Sequence, residues 1–166
     1  FYRHLLQQKV VTEQPVRGLR VPKEERRLPR FLSVPDMERL LQAPLEELCR
    51  LQSAAEAGAA PDPTEWVRDA AVLELIYSAG LRVSEVCGLR VDQVDLSGRT
   101  LHVLGKGRKE RVIPFGGPAL AALEAYWRWI GPRQKPSDPV FQGRGGVPLS
   151  PIRVQTRLKR YLAQAG

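Results

Sequence analysis

The stretch YSAGLRVSEVCGLRVDQVDL, residues 77–96, decides how the chain around it folds. Apolar residues at helical spacing run over Glu65–Ala79, and Gly80 is the residue type that ends a helix. A second, short helix is predicted over Leu81–Leu89. Arg82 is therefore expected at a junction between two helices, where its side chain can project into a groove while the helices hold its backbone.

Two side chains at this junction carry chemistry. Arg82 has a planar guanidinium that can bind two phosphate oxygens at once, which a lysine cannot do. Glu85 lies three positions later on the same face and could orient a neighbouring basic group. A purely structural Arg–Glu pair would explain this spacing about as often. The junction alone therefore indicates a phosphate site but leaves the structural alternative open.

A second stretch, LHVLGKGRKERVIPF at residues 101–115, predicts a β-hairpin. Its strands are expected at Arg99–Leu104 and Glu110–Phe115, on either side of a glycine-flanked basic tip. Lys106 stands between two glycines at that tip and can enter a narrow groove. The spacing is not that of a nucleotide-binding loop and no helix follows, so we exclude a nucleotide site. Further basic residues of the hairpin are candidates for binding phosphate: Arg108, Lys109 and Arg111.

Helices dominate the rest of the chain. Ser33 and Asp36 form a capping box that begins one helix, which is expected to continue over Leu45–Ala57. Thr64 can cap the helix that precedes Gly80. Further helices are predicted over residues 118–130 and 151–164. The sequence thus predicts an α+β fold that is mostly helical, with one small antiparallel sheet at the hairpin.

The last predicted helix has two distinct faces. At about 100° per residue, Arg157 and Arg160 fall within about 40° of Arg153. Such a row of arginines can lie on DNA through phosphate contacts, although a solvated face is the ordinary alternative. The neighbouring sector is apolar and includes Tyr161, which we therefore predict to be a core residue. Three other tyrosines are also core candidates: Tyr2, Tyr77 and Tyr126.

The charge balance favours a polyanionic partner. The chain has 26 Lys+Arg against 18 Asp+Glu, a net charge of +8 and a pI of about 10.0. No apolar run reaches the ~20 residues of a membrane helix, and no basic amphipathic helix anchored by tryptophan offers a membrane platform. Nucleic acid is thus the favoured partner. Cys49 and Cys87 have no metal-ligand spacing and are predicted to be buried thiols in a reducing, cytoplasmic setting.

The N-terminal region predicts a domain boundary. Residues 1–11 have a helical pattern, and residues 12–30 are rich in proline and in basic side chains. Prolines at this density favour extended backbone, so we interpret residues 12–30 as a basic linker between two domains. A solvated surface loop is an equally good explanation on composition alone. Residues 31–166 then form the main domain.

The two stretches at residues 77–96 and 101–115 together closely resemble the start of the catalytic domain of tyrosine recombinases, especially the Xer-type chromosome-dimer resolvases. The resemblance extends over residues 31–166. It implies that residues 1–11 end an N-terminal helical DNA-binding domain and that residues 12–30 are the interdomain crossing. The implied activity is cutting and rejoining of DNA at a specific site through a 3′-phosphotyrosyl intermediate. The implied partners are duplex DNA and other recombinase subunits, as a tetramer on two duplexes.

The resemblance also implies residue roles. Arg82 matches the first catalytic arginine, which holds the scissile phosphate and stabilises its transition state. Lys106 matches the hairpin lysine that donates a proton to the departing 5′-oxygen, and Glu85 matches an acidic residue that supports the site. Phosphoryl transfer needs positive charge on the nonbridging oxygens and an acid for the leaving group, which agrees with these roles. Neither a metal nor another cofactor is implied.

The family pattern continues with a His-x-x-Arg box and a nucleophilic tyrosine, and we find neither among these 166 residues. We therefore expect a catalytic domain incomplete at its C-terminus, which holds DNA without cutting it. Three hypotheses stay open: a fragment of an Xer-like recombinase, a fragment of a phage or transposon integrase, and a catalytically dead DNA-binding remnant.

Overall fold

A computed structural model describes residues 1–13, 31–55, 59–104, 110–131 and 135–165. The chain forms two compact units, residues 1–31 and 32–166. In the first unit, helix α1 spans Tyr2–Gln7, which is shorter than the sequence predicts. It ends where Lys9 adopts a left-handed φ of 52°. Most of the predicted linker, residues 14–30, lies outside the described residues.

The second unit begins with a long helix, α2, which spans Val34–Ala54. Its predicted capping box is confirmed: Asp36 N donates to Ser33 Oγ at 3.3 Å, and Ser33 N donates to Asp36 Oδ2 at 3.3 Å. The predicted continuation of this helix beyond Leu45 is confirmed as far as Ala54, and Pro44 lies inside the helix.

Helix α3, Thr64–Ala79, is the central helix of this unit. Its start differs from the prediction, because Thr64 is the first residue of the helix rather than its cap, and the proline before it makes no capping side-chain bond. Asp62 Oδ1 accepts from Thr64 N at 3.0 Å and from Thr64 Oγ1 at 2.6 Å. Its end is as predicted, since Gly80 takes a left-handed conformation with φ 60°. This reversal leads directly into the short helix α4, Val83–Cys87.

A three-stranded antiparallel sheet follows in the order β1-β2-β3. Strands β1, β2 and β3 span Val94–Asp95, Thr100–Leu104 and Glu110–Pro114. Leu104 pairs with Glu110 at the open end of the hairpin, so the predicted hairpin strands are confirmed. The tip, residues 105–109, lies outside the described residues.

Helices α5, Gly117–Ile130, and α6, Pro151–Ala165, complete the unit. The larger core cluster brings α3, α4, the sheet and α5 together, with Leu75, Leu101 and Leu123 fully buried. A smaller cluster, which includes Leu73 and Tyr161, joins α2, α3 and α6. The mostly helical α+β fold predicted from sequence is therefore confirmed.

Several predictions for single residues are settled by burial. Tyr126 and Tyr161 are core residues, as predicted, whereas Tyr77 is exposed and its core prediction was wrong. Tyr2 is half-buried. Cys87 is buried, but Cys49 is exposed because it lies on the outer face of α2. Among the described residues, no helix is long and apolar enough to cross a membrane.

Candidate nucleic-acid interface

Arg82 lies in the bend between α3 and α4, where the sequence predicts it. Its backbone is extended, with φ −71° and ψ 152°, because it follows the reversal at Gly80 and precedes the first residue of α4. Its side chain is 67% exposed. The guanidinium is therefore held at its base by two helices and is open to a ligand at its tip.

Glu85 organises this bend from behind, and its side chain is only 9% exposed. It accepts three hydrogen bonds: from Arg82 N at 2.8 Å, from Arg82 NH1 at 2.9 Å and from Arg111 NH2 at 3.0 Å. Burial works to raise the pKa of Glu85, but the bonds from Arg82 and the charges of Arg111 and Arg82 outweigh it and lower the pKa. The carboxylate therefore stays charged at neutral pH and orients two arginines.

Arg111 reaches the same carboxylate from β3. Its side chain is 40% exposed, and its Nε is buried with no hydrogen-bond partner among the described residues. Arg111 and Ile113 alternate inward on β3, whereas Glu110 and Val112 point outward. The sequence analysis predicted Arg111 only as one of several basic residues that could bind phosphate, and it missed the pairing of Arg111 with Glu85. The period-two pattern of β3 was the available signal, since it puts Arg111 on the core-facing side.

Three further basic residues of the hairpin were predicted to act at the phosphate. Lys106, Arg108 and Lys109 all lie outside the described residues. Strand β2 ends at Leu104 and strand β3 begins at Glu110, on either side of these three residues. Their predicted roles at the phosphate stay predictions.

The arginine row of α6 is bound to acids of other helices. Arg153 NH2 pairs with Glu65 Oε1 at 2.7 Å, and Arg160 pairs with Glu47. Arg157 pairs with Asp69. The side chains of Arg153 and Arg160 are 37% and 48% exposed, whereas that of Arg157 is only 15% exposed. These contacts do not test DNA binding, but they show that the Arg157 side chain is less accessible to a ligand than those of Arg153 and Arg160.

The geometry at Arg82 suits a phosphate. Two guanidinium groups share one buried carboxylate, so their positions are fixed while their outer N–H donors stay available to a ligand. Paired cationic forks can neutralise the nonbridging oxygens of a phosphodiester and the extra charge of its transition state. Among the described residues, no group of three or more His, Cys, Asp or Glu comes together as a metal site would require.

Comparison with known proteins identifies several similar sequences. Residues 37–166 match the model of the phage integrase family. The chain is 39% identical over its whole length to the tyrosine recombinase XerC of Xylella fastidiosa strain M23 and covers 50% of that protein. It is 40% identical over 161 residues to XerC of Azotobacter vinelandii, covering 96% of this chain and 48% of that one. The chain thus spans about half the length of the curated relatives it matches.

Solved structures show the same fold. A lambda integrase dimer bound to a COC′ core site matches with a TM-score of 0.71 at 19% identity, over 99% of this chain and 42% of that one. The XerA recombinase matches with a TM-score of 0.65 at 18% identity, over 99% of this chain and 51% of that one.

Proposed function

Because the chain belongs to the phage integrase family, we propose that it is the phosphate-holding part of a site-specific tyrosine recombinase of the Xer type. Such an enzyme cuts and rejoins duplex DNA through a 3′-phosphotyrosyl intermediate, working with other recombinase subunits. The XerC relatives at 39–40% identity favour the Xer type over a mobile-element integrase. The bacterial cytoplasm is the proposed place of action.

One observation carries this proposal: the buried Glu85 holds Arg82 and Arg111 side by side at an exposed bend. In the proposed reaction Arg82 binds the scissile phosphate and offsets the charge that builds on its nonbridging oxygens. Glu85 orients Arg82, and Lys106 donates the proton that the 5′-oxygen needs as it leaves. The attacking tyrosine and the His-x-x-Arg box are assigned to no residue of this chain.

Further DNA contacts are proposed for basic side chains of the hairpin and of α6. Positive charge near the backbone releases counterions, which supplies affinity without reading sequence. The net charge of +8 supports a polyanionic ligand. The proposed contacts are Arg108, Lys109, Arg111, Arg153 and Arg160. Arg157 is set apart from them because its side chain is largely buried.

Duplex binding by this chain tests the proposal. We expect weak binding whose logarithm falls linearly with the logarithm of salt concentration, by about 0.9 for each phosphate contacted. Arg82→Ala should lower that slope by about 0.9, since one contact is lost. Arg39→Ala is the matched control, because Arg39 is also exposed and also pairs with an acid three residues away, Asp36. Absence of binding at low salt, or equal effects of the two variants, would contradict the proposal.

Catalysis is tested in a protein extended to the length of the XerC relatives. There, Arg82→Ala should abolish covalent tyrosyl–DNA formation while leaving site binding largely intact. Lost site binding in a folded Arg82→Ala protein would instead make Arg82 a docking residue only. An extended protein that forms no covalent complex even with Arg82 present would favour the catalytically dead DNA-binding remnant.

A further inference from the structure

The contacts of Arg157 differ in kind from those of the other arginines of α6. Its Nε donates to Asp69 Oδ2 at 2.5 Å, and its NH2 donates to the Tyr161 hydroxyl at 2.7 Å. That hydroxyl donates in turn to Asp69 Oδ2 at 2.9 Å. The three side chains thus close a hydrogen-bonded triangle between α3 and α6, in which the Nε and NH2 donors of the guanidinium are already used.

Aromatic rings and a second arginine enclose this triangle. The Arg157 guanidinium carbon lies 5.3 Å from the ring centroids of both Trp66 and Tyr161, within cation–π range. The other oxygen of Asp69 accepts from Arg68 Nε at 3.0 Å and from Arg68 NH2 at 2.7 Å. Asp69 therefore stays paired on both oxygens, which is what a charge buried to 6% exposure requires.

A second anchor lies one turn further along α6. Glu47 of α2 is 1% exposed and accepts from Trp66 Nε1 at 3.2 Å, from Gln164 Nε2 at 3.0 Å and from Arg160. The void beside the triangle, between α3 and α6, is only about 10 Å³, roughly the space of one water. The polar anchors and close packing together fix α6 against α2 and α3.

We infer that Arg157 is a positioning residue that locks α6 onto α3 through Asp69 and Tyr161, so that Arg153 and Arg160, and not Arg157, meet the DNA. The inference rests on the proposed function for the identity of the ligand. The anchoring itself is independent of any ligand. A phosphate contact needs an accessible positive charge, whereas the triangle needs the planar fork of an arginine, which reaches two acceptors at once.

A pair of charge-conserving substitutions separates the two roles. In Arg157→Lys, the ammonium lacks the rigid planar fork that holds Asp69 and Tyr161 together, so α6 should loosen while net charge is unchanged. Backbone amides of residues 154–162 should then exchange with solvent about tenfold faster, the equivalent of one charge-assisted hydrogen bond. Amides of α5 should keep their rates. Arg39→Lys is the control: Arg39 is an exposed arginine of α2 that pairs with an acid of the same helix and is not a proposed DNA contact, so α6 exchange and DNA affinity should stay close to those of the unmodified chain.

A second substitution gives a test in which electrostatics and positioning predict opposite signs. Asp69→Asn removes one negative charge, which by itself should strengthen binding to a polyanion. If Asp69 positions α6, duplex affinity should instead fall, by about tenfold if one phosphate contact is lost. Glu46→Gln removes the same charge from an exposed site on α2 and should leave affinity equal or slightly higher.

Tyr161→Phe keeps the proposal falsifiable if the other variants fold poorly, since it deletes a single hydroxyl. The inference would be overturned if amide exchange of α6 were unchanged in Tyr161→Phe. It would also be overturned if Arg157→Lys left both the amide exchange of α6 and the DNA affinity unchanged. Asp69→Asn that folds and binds DNA as tightly as the unmodified chain would also overturn it. Amide exchange is measured without DNA and therefore tests the anchoring of α6 by itself. If the chain never binds duplex DNA, the proposed function is refuted, but the exchange data still decide whether Arg157 anchors α6.

Discussion

Glu85→Gln is the substitution that most directly probes the candidate interface. It keeps the shape of the side chain but removes the charge shared by Arg82 and Arg111. Glutamine has one acceptor oxygen, and Oε2 is the oxygen that receives two donors, Arg82 N and Arg111 NH2. The amide oxygen should therefore take the Oε2 position. Its NH2 group then faces Arg82 NH1, so the substitution should release the Arg82 guanidinium first.

The energetic cost follows from the three bonds. A hydrogen bond to a charged group contributes about 1.5–3 kcal/mol and a neutral one about 0.5–1.5 kcal/mol. The two bonds at Oε2 should each lose about 1 kcal/mol. The bond to Arg82 NH1 adds little, because an arginine that is 67% exposed exchanges its partner for water. The free energy of unfolding should therefore fall by about 2 kcal/mol at pH 7.

Denaturant unfolding of both proteins at pH 7 and at acid pH tests this estimate. The folded protein lowers the pKa of Glu85, so the unfolded chain binds the proton more readily. The stabilisation by Glu85 is then complete above the unfolded pKa and is lost as pH falls through the folded pKa. The difference between the unmodified chain and Glu85→Gln should accordingly shrink in acid. Glu124→Gln, at an exposed site on α5, should change stability by less than about 0.5 kcal/mol.

Two results would refute this reasoning. The first is a Glu85→Gln protein within about 0.5 kcal/mol of the unmodified chain at pH 7, the range typical of surface substitutions. The second is a difference that stays the same at acid pH, which would mean that the lost stability does not come from the carboxylate charge.

Two further predictions concern the scaffold that positions Arg82. Leu75→Ala removes a fully buried side chain from the core between α3 and the sheet. It should lower the free energy of unfolding, measured in denaturant, by about 2–5 kcal/mol. Leu45→Ala, on the exposed face of α2, is the control and should lower it by under about 1 kcal/mol. Gly80→Ala meets no atom within 4 Å, so only its left-handed φ of 60° opposes it, and thermal unfolding should reveal a loss of about 1–2 kcal/mol. A cost near zero would show that the backbone relaxes at this bend.

Local signals in the sequence were enough to predict the bend and the hairpin. Helical spacing followed by Gly80 predicts both the end of α3 and the placement of Arg82, because a left-handed terminus is a property of a few adjacent residues. Alternating residues around a glycine-rich turn likewise predict strands β2 and β3. The start of α3 was predicted wrongly, because a residue that can cap a helix can also be its first residue. Thr64 is the first residue of α3, and its N–H and hydroxyl both donate to Asp62 Oδ1.

The partners of α6 could not be predicted in this way, because the acids that bind it are far away in sequence. Arg153, Arg157 and Arg160 lie on one face of the helix, so periodicity treats them as equivalent. Their different environments come from Glu65, Asp69 and Glu47, which α3 and α2 bring to that face at separations of 88 or more residues. A helical wheel shows which side chains share a face but not what packs against it. How far this packing buries each arginine side chain therefore decides which of them can still bind a phosphate, and only the tertiary structure determines that burial.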